Sequence, residues 1–347
     1  MAGLWVDLSA SLSASLTTAL ATGTALTPGF ILGLAASLDF WLGDPWGWLH
    51  PVQVMGWAID RGKAPLLNRE NQPQGQRWGG MILALAIILG SGIVGKGLIW
   101  AGSQVQPLLG AAIAVVLLAS CFAGRSLRDA ATDVLDPLEA GDLPEARQRL
   151  SRYVGRDTET LDEAEILRAV LETVTENAID GVLAPLFYAL VGAAIPGLGS
   201  APLALAYKAA STLDSMVGYR EAPYTHLGWF SARFEDGATW LPCRLAVLTL
   251  ALLSGRPRFV LALCRRDAPQ DPSPNAGWSE CAYAAALGVQ VGGTNRYRGQ
   301  VKVKPLLGDP QRGIDRACIT AAMALTRRCF LLWLGLGVIS LGIIQLL

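Results

Sequence analysis

Apolar residues in this chain gather in long runs and rarely alternate with polar ones. The run "CFLLWLGLGVISLGIIQLL", Cys329 to Leu347, carries no charge and follows Arg327-Arg328. A helix needs about 20 mostly apolar residues to cross a bilayer, and this run supplies them. "PLLGAAIAVVLLASCFAG" over 107–124 is of the same kind, flanked by Arg125 and Arg128. "WGGMILALAIILGSGIVGKGLIW", Trp78 to Trp100, has a tryptophan at each end, where interfacial aromatics are expected. A weaker run, 26–43, holds Asp39. The pattern predicts spans at 26–43, 79–100, 107–124 and 329–347. Charge-free "AGSQVQ" reads as an external link, which puts 44–78 and 125–181 inside together with the basic segment 255–328. The apolar stretches 182–207 and 240–255 must then both cross, or neither does and they are re-entrant or interfacial. "AAIPGLGS" should break the first, and Arg244 sits within the second; broken helices are tolerated where they line a protein cavity. The expected fold is all-α: a polytopic integral membrane protein with about four to six spanning or re-entrant helices. It is expected as one domain over 26–347, with an N-terminal extension, 1–25, that lacks the basic start of a signal peptide.

Composition strengthens this picture. Of 347 residues 52% are hydrophobic and 16% charged, with a mean hydropathy of +0.38; soluble chains average about 25% charged. The net charge of zero gives no reason to expect a nucleic-acid partner. Six cysteines form no C-x-x-C pair and read as reduced, packed thiols. His50 and His226 are the only histidines, too few for a zinc site or a histidine triad of the usual kind. Acid, base and metal chemistry therefore falls to carboxylates.

Residues 90–97, "GSGIVGKG", fit G-x-G-x-x-G and all but the last position of the phosphate-binding loop, where Gly97 replaces the hydroxyl. A nucleotide loop needs a strand before it and a soluble helix after it. Here the glycines lie inside an apolar run, and no acidic residue occurs between Glu70 and Asp129 to hold a ribose. The stretch reads as membrane helix with small residues for close packing.

Polar chemistry lies elsewhere. "TETLDEAEILRAVLETVTENAIDG", Thr158 to Gly181, predicts a helix opened by a Thr160–Glu163 capping box. Leu167, Val170, Leu171, Val174 and Ala178 form its apolar face. Glu165, Glu172, Glu176 and Asp180 form a stripe opposite. Like charges at i,i+4 repel by roughly 0.2–0.5 kcal/mol per pair, so the stripe gains from a counter-cation such as Mg²⁺ with phosphate; a solvated acidic face is the alternative. "YKAASTLDSMVGYR" offers Lys208 and Asp214, although a boundary lysine can simply snorkel. Asn275 and Gly277 precede a helix whose free N–H groups suit an anion, or form an ordinary capped turn. Asp44, in "GDPWGWLHP", stands at the inner end of the first predicted span.

Taken in order, "LDFWLGDPWGWLHPVQVMG", "GRDTETL", "ETVTENAIDGVLAPLFYALVG", "YKAASTLDSMVGYR" and "SPNAGWSECAYAAALGVQVGG" resemble the CobD/CbiB cobalamin biosynthesis family, the adenosylcobinamide-phosphate synthases. The chain departs from that pattern at Ser211, Asp271, Glu235 and Thr239. The resemblance implies a multi-pass enzyme of the cell (inner) membrane with a cytoplasmic site. It would join adenosylcobyric acid to (R)-1-amino-2-propanol or its O-phosphate as an amide, using ATP and Mg²⁺, in the lipid bilayer and in company with other cobalamin-pathway enzymes. Under it, Glu172, Glu176 and Asp180 are magnesium or base candidates, and Asp214 is a further acid. Arg156 and Lys208 would contact phosphate, Asn275 would hold substrate, and Asp44 joins the substrate-binding set. A corrinoid carrier and a non-catalytic scaffold are the rival readings.

Overall fold

The structure, a computed structural model, describes residues 26–43, 50–68 and 72–346. Its helices are α1 (Pro28–Trp41), α2 (Pro51–Leu67), α3 (Pro73–Val105), α4 (Pro107–Ala119), α5 (Gly124–Glu139), α6 (Leu143–Leu150) and α7 (Glu163–Asn177). A π-helical turn (Ala178–Leu183) leads into α8 (Ala184–Ala194), followed by α9 (Ser200–Val217), α10 (Trp229–Leu253), α11 (Pro257–Asp267) and α12 (Ala276–Leu287). Strands β1 (Val291–Tyr297) and β2 (Gln300–Leu307) precede the last helix, α13 (Arg316–Leu346).

Five helical runs are long and apolar enough to cross a membrane: Pro73–Val105, Pro107–Glu139, Glu163–Ala194, Trp229–Leu253 and Arg316–Ile344. The polytopic helical fold expected from the apolar runs is thus present. Details differ for local reasons. α1, 14 residues, is about 21 Å long, short of a bilayer core of about 30 Å. Thr27 caps its start, and Gly43, at φ 61°, turns the chain out of it. The apolar stretch 182–207 breaks as expected: Gly197 and Gly199 take positive φ, and Gly199 N donates to Gly192 O at 3.0 Å. Its first part continues the helix begun at Glu163, which runs to Ala194.

The chain resolves into two compact units. Of the described residues, one comprises those from 26 to 123, Pro185–Glu235 and 332–346. Within it α3 approaches α9 and α4 through small residues. A Cβ on Gly92 would lie 3.0 Å from Pro202 O, and one on Gly102 would lie 3.2 Å from Gly110 Cα. Residues 90–97 sit in the middle of the 33-residue α3, as the apolar context predicts, and no loop forms there.

The other unit comprises Gly124–Ala184 and Asp236–Leu331. Helix α7 buries Leu167, Val170, Leu171 and Val174, and the π-helical turn after it buries Ala178, together the predicted face. Its cap is shifted. Asp162, not Thr160, accepts from Glu165 N at 2.8 Å, and the Glu165 side chain accepts from Asp162 N at 3.0 Å. Both Thr160-x-x-Glu163 and Asp162-x-x-Glu165 satisfy the capping pattern. The later one puts Leu161 and Ile166, both buried, at the N′ and N4 positions of a hydrophobic staple.

The β1–β2 hairpin is the exception to an all-helical reading. Its strands pair antiparallel around a two-residue turn, Tyr297 facing Gln300. Arg298 and Gly299 have φ of 51° and 77°, the positive pair that a right-twisting hairpin turn requires. Asp157 holds this turn: its carboxylate accepts from Arg298 N at 2.8 Å and Gly299 N at 2.7 Å. All six cysteines are free and buried, as expected.

Candidate active site

The second unit carries a buried cluster of charge where α7, α12 and the hairpin meet. Glu172, on α7, is 1% exposed. One oxygen accepts from Gly292 N at 2.8 Å, and the other is paired with the Arg156 guanidinium. Arg156 Nη1 also donates to Asn295 Oδ1 at 2.9 Å. Arg168 donates to the Gly292 carbonyl and, at 3.2 Å, to the Thr294 carbonyl and Asn295 Oδ1. Gly292 makes this geometry possible. Its φ is +92°, and a Cβ there would lie 2.0 Å from Pro305 O. Both Glu172 oxygens are therefore engaged in fastening α7 to β1. A buried ion pair survives only when its remaining lone pairs and protons are satisfied, and this one meets that condition.

Glu280 is the opposite case. It lies on α12, 1% exposed, and neither carboxylate oxygen accepts a hydrogen bond. The nearest cation is Lys304 of β2, with Nζ 3.5 Å from Oε1. Burial pushes the Glu280 carboxyl up to about 8, against the pull of Lys304, and Glu176, Glu172 and Asp271 push it further. Burial pulls the Lys304 ammonium down, yet Glu280, Glu176 and Glu172 outweigh it and hold the group above its ordinary value. The Lys304 side chain is 26% exposed, so it reaches both Glu280 and solvent. Ser279 Oγ donates to Thr175 O at 2.5 Å and locks α12 against α7 beside the pair.

The residues singled out in the sequence divide. Glu172 and Arg156 meet in the strut just described. Glu176, one turn further along α7, is exposed and contributes to the field at Glu280 and Lys304. Asp180 is half-buried in the π-helical turn, a distortion that often marks functional positions. Asn275 is 6% exposed; its Nδ2 donates to Asp236 O at 2.9 Å, and its Oδ1 accepts no hydrogen bond. The loop ahead of α12 caps itself, since Ser273 Oγ accepts from Asn275 N and Ala276 N at 3.3 and 3.1 Å. Lys208 and Asp214 share α9 in the other unit, roughly 120° apart around the helix. Asp44 lies outside the described residues.

Glu280 and Lys304 were not singled out, though each left a signal. Glu280 is the one charged residue in "AGWSECAYAAAL", and Lys304 belongs to the alternating "VKVK". The arrangement presents exposed or unsaturated oxygens at Glu176, Glu280 and Asn275 to a cation, and the Lys304 ammonium to an anion. Among the described residues no group of three or more His, Cys, Asp or Glu forms a ready metal cage. Mg²⁺ is usually held by one or two carboxylates plus substrate phosphates, and an exposed Glu176 near Lys304 fits that mode.

Fold and site together define a polytopic helical membrane protein with a charged, partly unsaturated cluster outside its most apolar helices. The chain belongs to the CobD/CbiB family: the model of the family described as CobD/Cbib protein matches residues 32–326. It is 52% identical over 315 residues to a protein of Synechocystis named cobalamin biosynthesis protein CobD, covering 91% of this chain and 92% of that one. A Yersinia enterocolitica protein of the same name is 41% identical over 303 residues, 86% of this chain and 93% of its own. Cobalamin biosynthesis protein CbiB of Salmonella typhimurium is 41% identical over 286 residues, 81% and 88% of the two chains. No solved structure matches the chain.

Proposed function

We propose that this protein acts in cobalamin biosynthesis as an adenosylcobinamide-phosphate synthase, an ATP-dependent ligase of the cell membrane whose site faces the cytoplasm. The observation that carries this reading is convergence. "GRDTETL", "ETVTENAIDG" and "SPNAGWSE", far apart in a chain similar to cobalamin biosynthesis proteins over most of its length, supply Arg156, Glu172, Glu176 and Glu280 to one cluster.

The chemistry asks for such a cluster. A carboxylate and an ammonium do not condense in water. ATP, as co-substrate, would phosphorylate a propionate carboxylate of adenosylcobyric acid. The amine nitrogen, after giving one proton to solvent through a carboxylate of the cluster, attacks the acyl carbon; the C–N bond forms, the C–O bond to phosphate breaks, and phosphate leaves with the second N–H proton. Glu176 and Asp180 would hold Mg²⁺ with ATP, and the ion would supply charge neutralisation at the phosphate oxygens. Glu172 and Arg156 act as positioning residues, keeping α7 and β1 in register so that Glu176 and Lys304 face the same space. Lys304 offers a cation to a substrate phosphate from a partly desolvated position, where a fixed charge is worth more than in water. Lys208 stays in the proposal as a phosphate contact, Asp214 as a further acid and Asp44 as a substrate contact, each apart from the cluster just described.

The test is turnover by detergent-solubilised protein given adenosylcobyric acid, aminopropanol phosphate and MgATP, with products separated by chromatography and weighed by mass spectrometry. An ATP-dependent amide is the expected product. Folded protein that yields none with either amine would sink the reading.

A further inference from the structure

Glu172 and Glu280 are buried to the same 1% in the same cluster, which makes their difference informative. Glu172 shows what a structural buried carboxylate looks like here, with both oxygens bonded. Glu280 has no hydrogen bond on either oxygen. Leaving a buried carboxyl group without hydrogen bonds costs stability, and such costs persist where a ligand later supplies the missing partners.

The surroundings narrow the ligand. Lys304 Nζ, 3.5 Å from Oε1, repels a divalent ion placed on that carboxylate. An organic ammonium carries a single charge and brings its own N–H donors. If the same molecule also carries an anion, that anion can take over Lys304, which is the more exposed of the two side chains. Arg156 cannot serve the anion as readily, because Glu172 and Asn295 already use its guanidinium. A second observation stands just ahead of α12. Asn275 is 6% exposed and anchored through Nδ2 to Asp236 O, while its Oδ1 accepts nothing. It offers one more acceptor for an N–H or O–H donor.

We propose that Glu280 and Lys304 form the recognition pair for the amine substrate, Glu280 receiving its ammonium in the interior and Lys304 its phosphate on the solvent side. The inference rests on the synthase reading and sharpens it. The substrate class is a short zwitterionic amino-alkyl phosphate. Free aminopropanol satisfies only Glu280 and leaves the pair's mutual attraction uncompensated, so the phosphorylated amine is preferred.

The experiment is calorimetric binding of (R)-1-amino-2-propanol O-phosphate, and separately of free aminopropanol, to full-length protein in detergent without nucleotide or corrinoid. The amide assay is run beside it. Losing one charge-assisted contact corresponds to about 10- to 100-fold in affinity. Glu280→Gln should weaken both amines by that order and raise the amine KM while leaving the KM for adenosylcobyric acid near wild type. Lys304→Met should weaken only the phosphate form, erasing the preference between the two. Glu280→Asp and Lys304→Arg are the conservative partners: partial recovery of amine affinity is expected, and they replace the primary variants if those fail to fold. Variants that fold, bind both amines as wild type does and keep the wild-type amine KM would overturn the inference and leave the synthase reading standing. Wild-type protein that binds the amine phosphate yet makes no amide would overturn the synthase reading instead.

Discussion

Residues 90–97 of α3 and residues 288–293 ahead of and within β1 are both rich in glycine, and the fold uses them in opposite ways. In α3 every glycine is helical. Gly92 lets the Pro202 carbonyl of α9 come close, and Gly90 and Gly97 face open space. In the second stretch Gly288, Gly292 and Gly293 all take positive φ, and Gly292 N is spent on a buried carboxylate. In the helix glycine relieves crowding between helices. In the hairpin it supplies a backbone conformation and an aimed N–H. The lesson is that a glycine pattern acquires meaning from the charges around it: 90–97 has no acidic residue nearer than Glu70 or Asp129, whereas 288–293 folds onto Glu172.

This contrast can be broken most severely at Gly292. Gly292→Ala would drive a Cβ to 2.0 Å from the Pro305 carbonyl, a backbone atom that cannot move aside, at a φ that L residues avoid. A destabilisation of about 3 kcal/mol or more is expected, seen as early thermal unfolding in detergent and loss of amide formation. Glu172→Ala comes next. It leaves Arg156, 8% exposed, without its ion-pair partner, which typically costs about 3–5 kcal/mol. The same thermal scan reads it, and an unchanged midpoint would contradict the strut. The smallest effect belongs to α3. Gly97→Ala has nothing within 4 Å of the new methyl and removes a helix-interior glycine, so stability should rise by about 0.5–1 kcal/mol or stay level. A large loss there would mean that 90–97 does more than span.

Much of this was legible beforehand because membrane helices announce themselves by length and apolarity. The apolar face of α7 and the break after Ala194 were equally plain, through helical periodicity and through "IPGLGS". What stayed hidden depended on pairing over long sequence distances. Nothing local in "GRDTETL" says that Asp157 will hold the 298–299 turn, 141 and 142 residues away. The hairpin was obscured because Arg-Gly is a rarer turn pair than Asn-Gly or Asp-Gly. Once it went unseen, Lys304 had no reason to be near a carboxylate. The acidic stripe looked uniform in a helical projection, but its members differ: Glu165 caps, Glu172 struts, and Glu176 is exposed. Only the tertiary partners separate those roles.

The central claim is that the chemistry belongs to the α7–α12–hairpin cluster and not to the glycine-rich helix. The most direct test compares ATP-dependent amide formation by Lys96→Ala and Glu176→Gln protein purified side by side from membranes. The account predicts near wild-type turnover for Lys96→Ala and a drop of at least about 100-fold for Glu176→Gln, the scale of losing a group that acts in the chemical step. Full activity in Glu176→Gln, with turnover abolished in normally inserted Lys96→Ala, would contradict it.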